Sequence, residues 1–370
     1  MSDFLISSHD QSAMSQALAW GRRAQMLCPP NPAVGCTLWQ GERLIGAGHT
    51  QQTGGPHAEV MAMRDAQSRG ESLVGATAYV TLEPCAHHGR TPPCAEALVR
   101  ERVARVVIAL LDPNPLVAGK GVQILKEAGI QVDVLPRDHA LAQEAWMDNI
   151  GFFSRMVRGR PWVRMKMAGS LDGRTALHNG DSQWITGEAA RLAGRRWRAR
   201  SGAILTGIGT VLDDDPRLDI RDVESERVPM RVVLDSHGRL PATAKILAPP
   251  GEVLVYGLQA PAASSATFVQ SPLHQDRVDL NWLMQDLGRR GINELHVEAG
   301  ATLNAALMQA NLVDEYLLYV APKFIGPGRP LAHLPELEKV AQAKALRFLE
   351  VQQIGDDLQL RVVEPGRECF

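Results

Sequence analysis

Pro56-His57-Ala58-Glu59-Val60, then Pro84-Cys85, then Pro93-Cys94: the fold of the first half turns on this stretch. One imidazole and two thiolates give a tetrahedral zinc ion three protein ligands and leave a fourth position open, as catalytic sites require. Pro56 precedes His57 and the apolar run Val60, Met61 and Met63 follows, so His57 and Glu59 fall at a helix start. Residues two apart diverge in mid-helix but can converge in a first turn. Cys85 and Cys94 each follow a proline, and Cys94 opens a second helical stretch. Free backbone N–H groups and the helix dipole there favour thiolate over thiol. His57, Cys85 and Cys94 are therefore the candidate metal ligands.

Zinc lowers the pKa of water from near 16 to about 7. Glu59, which is not a ligand, is placed to accept that water's proton and return it to a departing amine. This is the pattern of zinc deaminases, with one departure: the general form spaces its cysteines two apart, whereas Ala86 to Pro93 intervene here. Blander readings exist for each part. A lone buried cysteine is usually an apolar filler, and His-x-Glu recurs by chance. A structural zinc would recruit a fourth ligand, for which His87, His88 and Cys36 are available. The constellation as a whole favours the catalytic ion.

Outward from this site, helices and strands alternate. Ser8 and Gln11 have capping-box spacing before a helix from about Asp10 to Gln25. Val34 to Trp39 and Arg43 to Gly48 read as a hairpin around Gln40-Gly41. A helix from Glu59, strand Ala78 to Leu82, a helix from Ala95, strand Val103 to Leu111, a helix stopping at Gly129 and strand Ile130 to Leu135 follow. This alternation predicts a mostly parallel, helix-covered sheet. The basic stretch Arg155 to Pro161 reads as a hinge and puts the domain boundary between residues 158 and 159. The second half is α/β as well. Its strands are Trp162 to Met167, Ala203 to Thr206, Arg231 to Asp235, Val253 to Tyr256, Leu295 to Glu298 and Tyr316 to Val320. Helices fall near Glu188 to Arg200, Leu280 to Arg290 and Thr302 to Ala310.

Bulk composition narrows the function classes. A chain of 370 residues is long for one core and comfortable for two domains. With 39 basic and 41 acidic residues the net charge is −2, which provides no field for gripping nucleic acid or an acidic membrane. No apolar run approaches the roughly 20 residues that span a bilayer. Met1 to Asp10 has no signal pattern, and five cysteines form an odd, sparse set. The expected address is the cytoplasm, with thiols reduced or bound to metal.

Longer motifs add a family. Asn31-Pro32-Ala33-Val34-Gly35, Pro56-His57-Ala58-Glu59-Val60, Thr81-Leu82-Glu83-Pro84-Cys85 and His87-His88-Gly89-Arg90-Thr91-Pro92-Pro93-Cys94 resemble the bifunctional deaminase–reductase of riboflavin biosynthesis. In the second half the resemblance rests on Lys166-Met167-Ala168-Gly169-Ser170-Leu171-Asp172-Gly173-Arg174-Thr175, Ser182-Gln183-Trp184-Ile185-Thr186, Thr210-Val211-Leu212 with Asp214-Asp215-Pro216, and Val297-Glu298-Ala299-Gly300. It covers nearly the whole chain, and the long cysteine spacing is that family's own form. The resemblance implies an N-terminal cytidine-deaminase-like three-layer α/β/α domain (1–158) and a C-terminal dihydrofolate-reductase-like α/β domain (159–370). The first would remove the 2-amino group of 2,5-diamino-6-(5-phosphoribosylamino)pyrimidin-4(3H)-one. The second would reduce the ribosyl group of the resulting uracil to ribityl with NADPH.

By resemblance, His57, Cys85 and Cys94 would hold zinc, Glu59 would move protons and Asn31 would contact the pyrimidine. Ala168, Trp184, Thr210, Asp214, Ser236 and the stretch Gly300, Ala301, Thr302, Leu303 would contact the cofactor. Ser182, Arg198, Leu218, Arg221 and Glu298 would contact substrate, and Lys166 joins them as a candidate. Family members commonly self-associate, so a homo-oligomer is expected. One position departs: the family places a histidine two residues after the glycine matching Gly48, whereas here His49 comes one early and Thr50 fills the slot.

Without the family, the second half carries weaker signals. No glycine-rich dinucleotide fingerprint follows its first strand. Gly207 and Gly209, and Glu298-Ala299-Gly300 before a helix, are places where backbone can approach a phosphate. Arg191, Arg195, Arg196, Arg198 and Arg200 suit phosphate groups, but most read as a solvated helix face. Asp213-Asp214-Asp215-Pro216 is a good turn, and Lys166 could equally be a snorkelling strand residue. A tRNA-type deaminase is the competing function. It predicts a basic stripe and base-gripping aromatics, against a near-neutral chain with 5% aromatic content.

Overall fold

Strands that alternate with amphipathic helices must bury both sheet faces, and the chain does so twice. The computed structural model describes residues 6–86, 93–114, 118–262, 265–274 and 276–370. Two units emerge, Met1–Val157 and Arg158–Phe370.

The first unit runs α1 (Ser8–Arg23), β1 (Gly35–Gln40), β2 (Arg43–His49), α2 (Ala58–Ser68), β3 (Thr77–Val80), α3 (Cys94–Arg100), β4 (Arg105–Ile108), α4 (Lys120–Glu127), β5 (Gln131–Val134), α5 (Ala140–Asp148) and α6 (Ile150–Arg158). Its sheet has the order β2-β1-β3-β4-β5. α1 packs with α5, and α3 with α2 and α4, giving three layers. The sheet is mixed rather than mostly parallel: β1 is antiparallel to both β2 and β3, while β3, β4 and β5 are parallel. A tight turn at Gly41 (φ 61°) allows only an antiparallel partner. The helix cap also sits one residue earlier than expected. Ser7 and Asp10 form the capping box, because the Asp10 carboxylate is also fixed by the Tyr79 hydroxyl at 2.6 Å and Arg105 at 2.7 Å. Where a hinge was expected, Arg155 to Arg158 continue α6, whose Ile150, Phe152 and Phe153 are buried. β2 and α2 meet with no room for a side chain, since a Cβ on Gly46 would lie 2.4 Å from the Ala62 carbonyl oxygen. That contact sets the position of α2 and of its first turn.

In the second unit come β6 (Trp162–Ser170), β7 (Arg174–Leu177), α7 (Glu188–Arg200), β8 (Ala203–Gly207), α8 (Ile208–Asp214), β9 (Met230–Leu234), β10 (Val253–Gly257), β11 (Thr267–Gln270), β12 (Leu273–His274), β13 (Arg277–Val278), α9 (Leu280–Arg289), β14 (Glu294–Val297), α10 (Ala301–Gln309), β15 (Glu315–Ala321), β16 (Gly328–Pro330), β17 (Arg347–Ile354) and β18 (Asp357–Val363). The main sheet has the order β11-β10-β9-β8-β14-β6-β15-β18-β17. It is parallel from β11 to β15 and ends in the antiparallel pair β18 and β17. Neighbouring strand residues serve opposite cores: Leu205, Val232 and Leu254 face one, Ile204, Val233 and Val255 the other. Continuous apolar runs are what a parallel sheet covered on both faces demands.

Charges are built into this unit's core. Arg164 is fully buried, donates to Glu294 at 2.6 Å and Glu315 at 3.0 Å, and lies 4.2 Å from the centre of the Trp197 ring. Arg361 reaches Glu315 at 2.7 Å. Asp314, also fully buried, gathers Arg158, Arg160 and Arg367 at 2.7–3.0 Å and accepts the Val163 N–H.

Candidate active sites

His57 is the N-cap of α2, Cys94 is the first residue of α3, and Cys85 lies between β3 and α3. Helix starts thus deliver two of the three donors. His57 Nδ1 is 3.5 Å from Cys85 Sγ and 3.4 Å from Cys94 Sγ, and among the described residues these three side chains bring ligand atoms within 4.8 Å of one another. The Cys94 N–H donates to Cys85 Sγ at 3.3 Å. Without metal, the proton shared with Cys94 draws the Cys85 thiol down to about 4 against its burial. The same sharing, with burial, pushes the Cys94 thiol far up. Cys85 in turn raises His57 to about 9, against burial. An imidazole and two thiols brought this close suit a divalent ion with a taste for sulfur and nitrogen, whose binding displaces the protons these groups carry. The donor set fits zinc.

Glu59, in the first turn of α2, is 3% exposed. Burial, reinforced by the Cys85 charge, pushes its carboxyl up to about 7. A carboxyl poised there can both take and return a proton near neutral pH. Cys36 is buried in β1 and outside the donor group; His87 and His88 lie outside the described residues. Asn31 is half-buried before β1, with its backbone N–H donating to the Cys28 carbonyl. His49 stacks on Trp20 with ring centres 5.9 Å apart, whereas Thr50 is buried and its hydroxyl accepts the Val34 N–H at 3.1 Å.

The second unit opens a cleft of about 900 Å³. Lys166, Ala168, Ser182, Arg198, Thr210, Asp214, Leu218, Ser236, Glu298, Gly300, Ala301, Thr302 and Leu303 all line it. Two helix starts face each other there, since a Cβ on Gly300, the N-cap of α10, would lie 3.6 Å from Thr210 Oγ1 in α8. Arg198 grips Glu298 with two hydrogen bonds, one of them Nη2 to Oε2 at 2.9 Å, while Lys166 Nζ lies 3.7 Å from Oε2. Burial alone would raise the Glu298 carboxyl; Arg198 and Lys166 hold it well below the usual range. Asp214 makes no ion pair among the described residues, and burial with neighbouring Asp213 raises its carboxyl.

Trp184 and Arg221 do not line the cleft. Trp184 is 60% exposed beneath Arg191, and Arg221 donates to Asp219 at 2.5 Å. The arginines of α7 are not a solvated face. Arg198 and Arg200 turn inward to Glu298 and Glu294, Arg195 meets Asp222, and of the five only Arg196 is exposed. Sequence reasoning also missed Arg239, Arg277, Asn304 and His333 in the lining. A signal existed for Arg239, because Ser236-His237-Gly238-Arg239 follows an apolar strand.

Known proteins match both units. The family model "RibD C-terminal domain" matches residues 161–360, and "Cytidine and deoxycytidylate deaminase zinc-binding region" matches residues 7–110. The riboflavin biosynthesis protein RibD of Escherichia coli is 44% identical over 96% of this chain and 99% of its own length. Among solved structures, Acinetobacter baumannii RibD (form 1) is similar with TM-score 0.87 and 45% identity, over 96% of this chain and 98% of that one. A Thermotoga maritima protein described as diaminohydroxyphosphoribosylaminopyrimidine deaminase/5-amino-6-(5-phosphoribosylamino)uracil reductase is similar with TM-score 0.88 and 30% identity, over 96% of this chain and 99% of that one.

Proposed function

The chain belongs to the RibD family, a premise from which we propose how its two sites divide the work. It is a deaminase and reductase of riboflavin biosynthesis that uses zinc and NADPH, with a cytidine-deaminase-like first domain and a dihydrofolate-reductase-like second one. We assign the domains to residues 1–158 and 159–370. In the first reaction, water replaces the 2-amino group of 2,5-diamino-6-(5-phosphoribosylamino)pyrimidin-4(3H)-one and ammonia leaves. In the second, the ribosyl side chain of the resulting 5-amino-6-(5-phosphoribosylamino)uracil becomes ribityl.

His57, Cys85 and Cys94 would hold the zinc, whose chemistry when bound is that of a Lewis acid beside a water molecule. The Glu59 carboxylate takes a proton from the attacking water and delivers it to the departing amine. Asn31 would orient the pyrimidine.

NADPH, when bound, supplies hydride. Ala168, Thr210, Asp214, Ser236 and the α10 start Gly300 to Leu303 would hold the cofactor, with Trp184 at the rim. Lys166, Ser182, Arg198, Leu218 and Glu298 would hold the phosphorylated pyrimidine, with Arg221 at the rim. Glu298 is already neutralised by Arg198 and Lys166, so it anchors those cations toward substrate. Asp214, free of such a partner, is the carboxylate that stabilises positive charge on the opened ribosylamine as hydride arrives. Arg239 and Arg277 add positive charge that suits ligand phosphates.

Among the described residues no helix is long and apolar enough to cross a membrane. A cytoplasmic address, and partners confined to small phosphorylated pyrimidines without nucleic acid or membrane, agree with the net charge of −2. Self-association is supported by the edge strand β17, where Phe348 (61%) and Val351 (58%) stay exposed, since unprotected apolar edges invite pairing.

The observation that carries the function is the convergence of His57, Cys85 and Cys94 beside a buried Glu59. Its test is incubation of zinc-loaded protein with the diaminopyrimidinone phosphate. Ammonia should appear without reductant, and NADPH should be oxidised only afterwards. NADPH oxidation without prior ammonia release would overturn this division of labour.

A further inference from the structure

Glu83 is 4% exposed and takes no part in either reaction. Its Oε2 accepts the N–H groups of Gly119 at 2.9 Å and Asp112 at 3.3 Å. Its Oε1 accepts those of Gly121 at 3.0 Å and Val122 at 3.2 Å. The first N–H groups of a helix need acceptors, and negative charge is favoured beside them. α4 lacks a local one, because its N-cap is Gly119 and its first turn carries no acid. Glu83 therefore caps α4 from a different element. The contact is tight as well as charged: a Cβ on Gly121 would lie 2.0 Å from the Pro84 carbonyl oxygen and 3.3 Å from Glu83 Cγ. α4 thus rests directly on the Pro84 carbonyl, part of the peptide that joins Pro84 to Cys85.

Cys85 is held on its other side by α3. Its sulfur accepts the Cys94 N–H at 3.3 Å and its carbonyl accepts the Ala95 N–H at 3.2 Å. Behind it, the Glu83 N–H donates to the Leu110 carbonyl at 2.8 Å. Two helix starts therefore clamp one short segment, α3 through Cys85 itself and α4 through Glu83.

We propose that Glu83 is a positioning residue for the metal ligand Cys85, acting through the Glu83–Pro84–Cys85 backbone. This rests on the zinc reading of the first site. A ligand already fixed in place costs less ordering when the ion arrives, so loosening the clamp weakens metal binding before it touches the chemistry.

The experiment uses the full-length protein as wild type, Glu83→Gln, Gly121→Ala and Cys85→Ser. Zinc affinity is measured by chelator competition, and the ligand field by visible absorption after cobalt(II) substitution. Glu83→Gln should bind zinc roughly 10- to 100-fold more weakly, the range for groups that orient metal ligands, with a changed cobalt spectrum and an unchanged reductase rate. Gly121→Ala keeps the carboxylate but displaces Pro84, and should move both readouts the same way even if Glu83→Gln does not fold. Variants that melt earlier yet bind zinc and cobalt as wild type does would reduce Glu83 to a helix cap and overturn the proposal. Cys85→Ser binding zinc as tightly as wild type would instead overturn the zinc reading, and this proposal with it.

Discussion

Glu59 is buried and Glu298 half-buried, each at the heart of a site, yet their carboxyls move in opposite directions. In Glu59 burial, with the Cys85 charge, outweighs the pull of His57 and pushes the carboxyl up to about 7. Glu298 lies between Arg198 and Lys166 and falls well below the ordinary range. Loss of water raises both; the partner decides. A carboxyl near 7 changes its protonation readily at neutral pH, whereas one locked to two cations keeps its charge and holds other groups in place. The first unit thus uses its glutamate for proton chemistry and the second uses its own as an anchor.

The sharpest way to break this contrast is Glu59→Gln. Deamination should fall by about 10²–10⁴-fold, measured as ammonia release, while reduction of the already deaminated pyrimidine keeps its rate. A parallel loss of both activities would mean that the sites are not independent.

Glu315 extends the anchoring class to a purely structural pair. Glu315→Gln leaves the buried Arg164 one carboxylate short and should cost about 3–5 kcal/mol at neutral pH by urea unfolding. Arg164 and Arg361 hold the Glu315 carboxyl far below the roughly 4.3 of an unfolded chain. Its stabilisation is therefore complete above that value and lost as pH falls toward the folded value. The gap between wild type and variant should narrow on acidification below about pH 4 and stay constant from pH 6 to 8.

Removing Arg198 sharpens the comparison at the cleft. Arg198→Ala leaves Glu298 with Lys166 and the neighbouring His296, and the reductase kcat/KM should drop about 30-fold or more with deamination untouched. Smallest of all, Arg221→Ala and Trp184→Ala change exposed side chains outside the lining. Each should raise a reductase KM by only a few-fold, read from initial rates of NADPH oxidation.

What the sequence disclosed follows the same division. The metal site was readable because its chemistry sits in short contiguous motifs at helix starts, with His57, Glu59 and Cys94 each marked by an adjacent proline or apolar run. The cleft was readable mainly by resemblance, since its lining spans Lys166 to His333 and only folding collects it. The α7 arginines misled because charge alone does not reveal that Glu294 and Glu298 wait on β14 and just beyond it. β17 escaped detection because it is exposed on both faces and shows no alternation. Its partner β18 could have been found: Leu358, Leu360 and Val362 alternate after the turn at Gly355-Asp356, where Gly355 takes φ 60°. The β1–β2 hairpin was legible from its turn at Gln40-Gly41, but the antiparallel pairing of β1 with β3 was not, because alternating helices and strands suggest parallel neighbours.

Asp314 joins the earliest and latest parts of its unit, with Arg158 and Arg160 arriving from one end and Arg367 from the other. On the ribosome, that carboxylate goes without its third cation until Arg367 emerges. The strand β18, second from the sheet's edge, likewise arrives last. The reductase half is thus completed only once Arg367 has been made, whereas every strand of the deaminase half has been made long before. A message truncated just short of Arg367 would release a product in which Asp314 keeps Arg158 and Arg160 but loses the tie that pins the residues after β18 to the start of the unit.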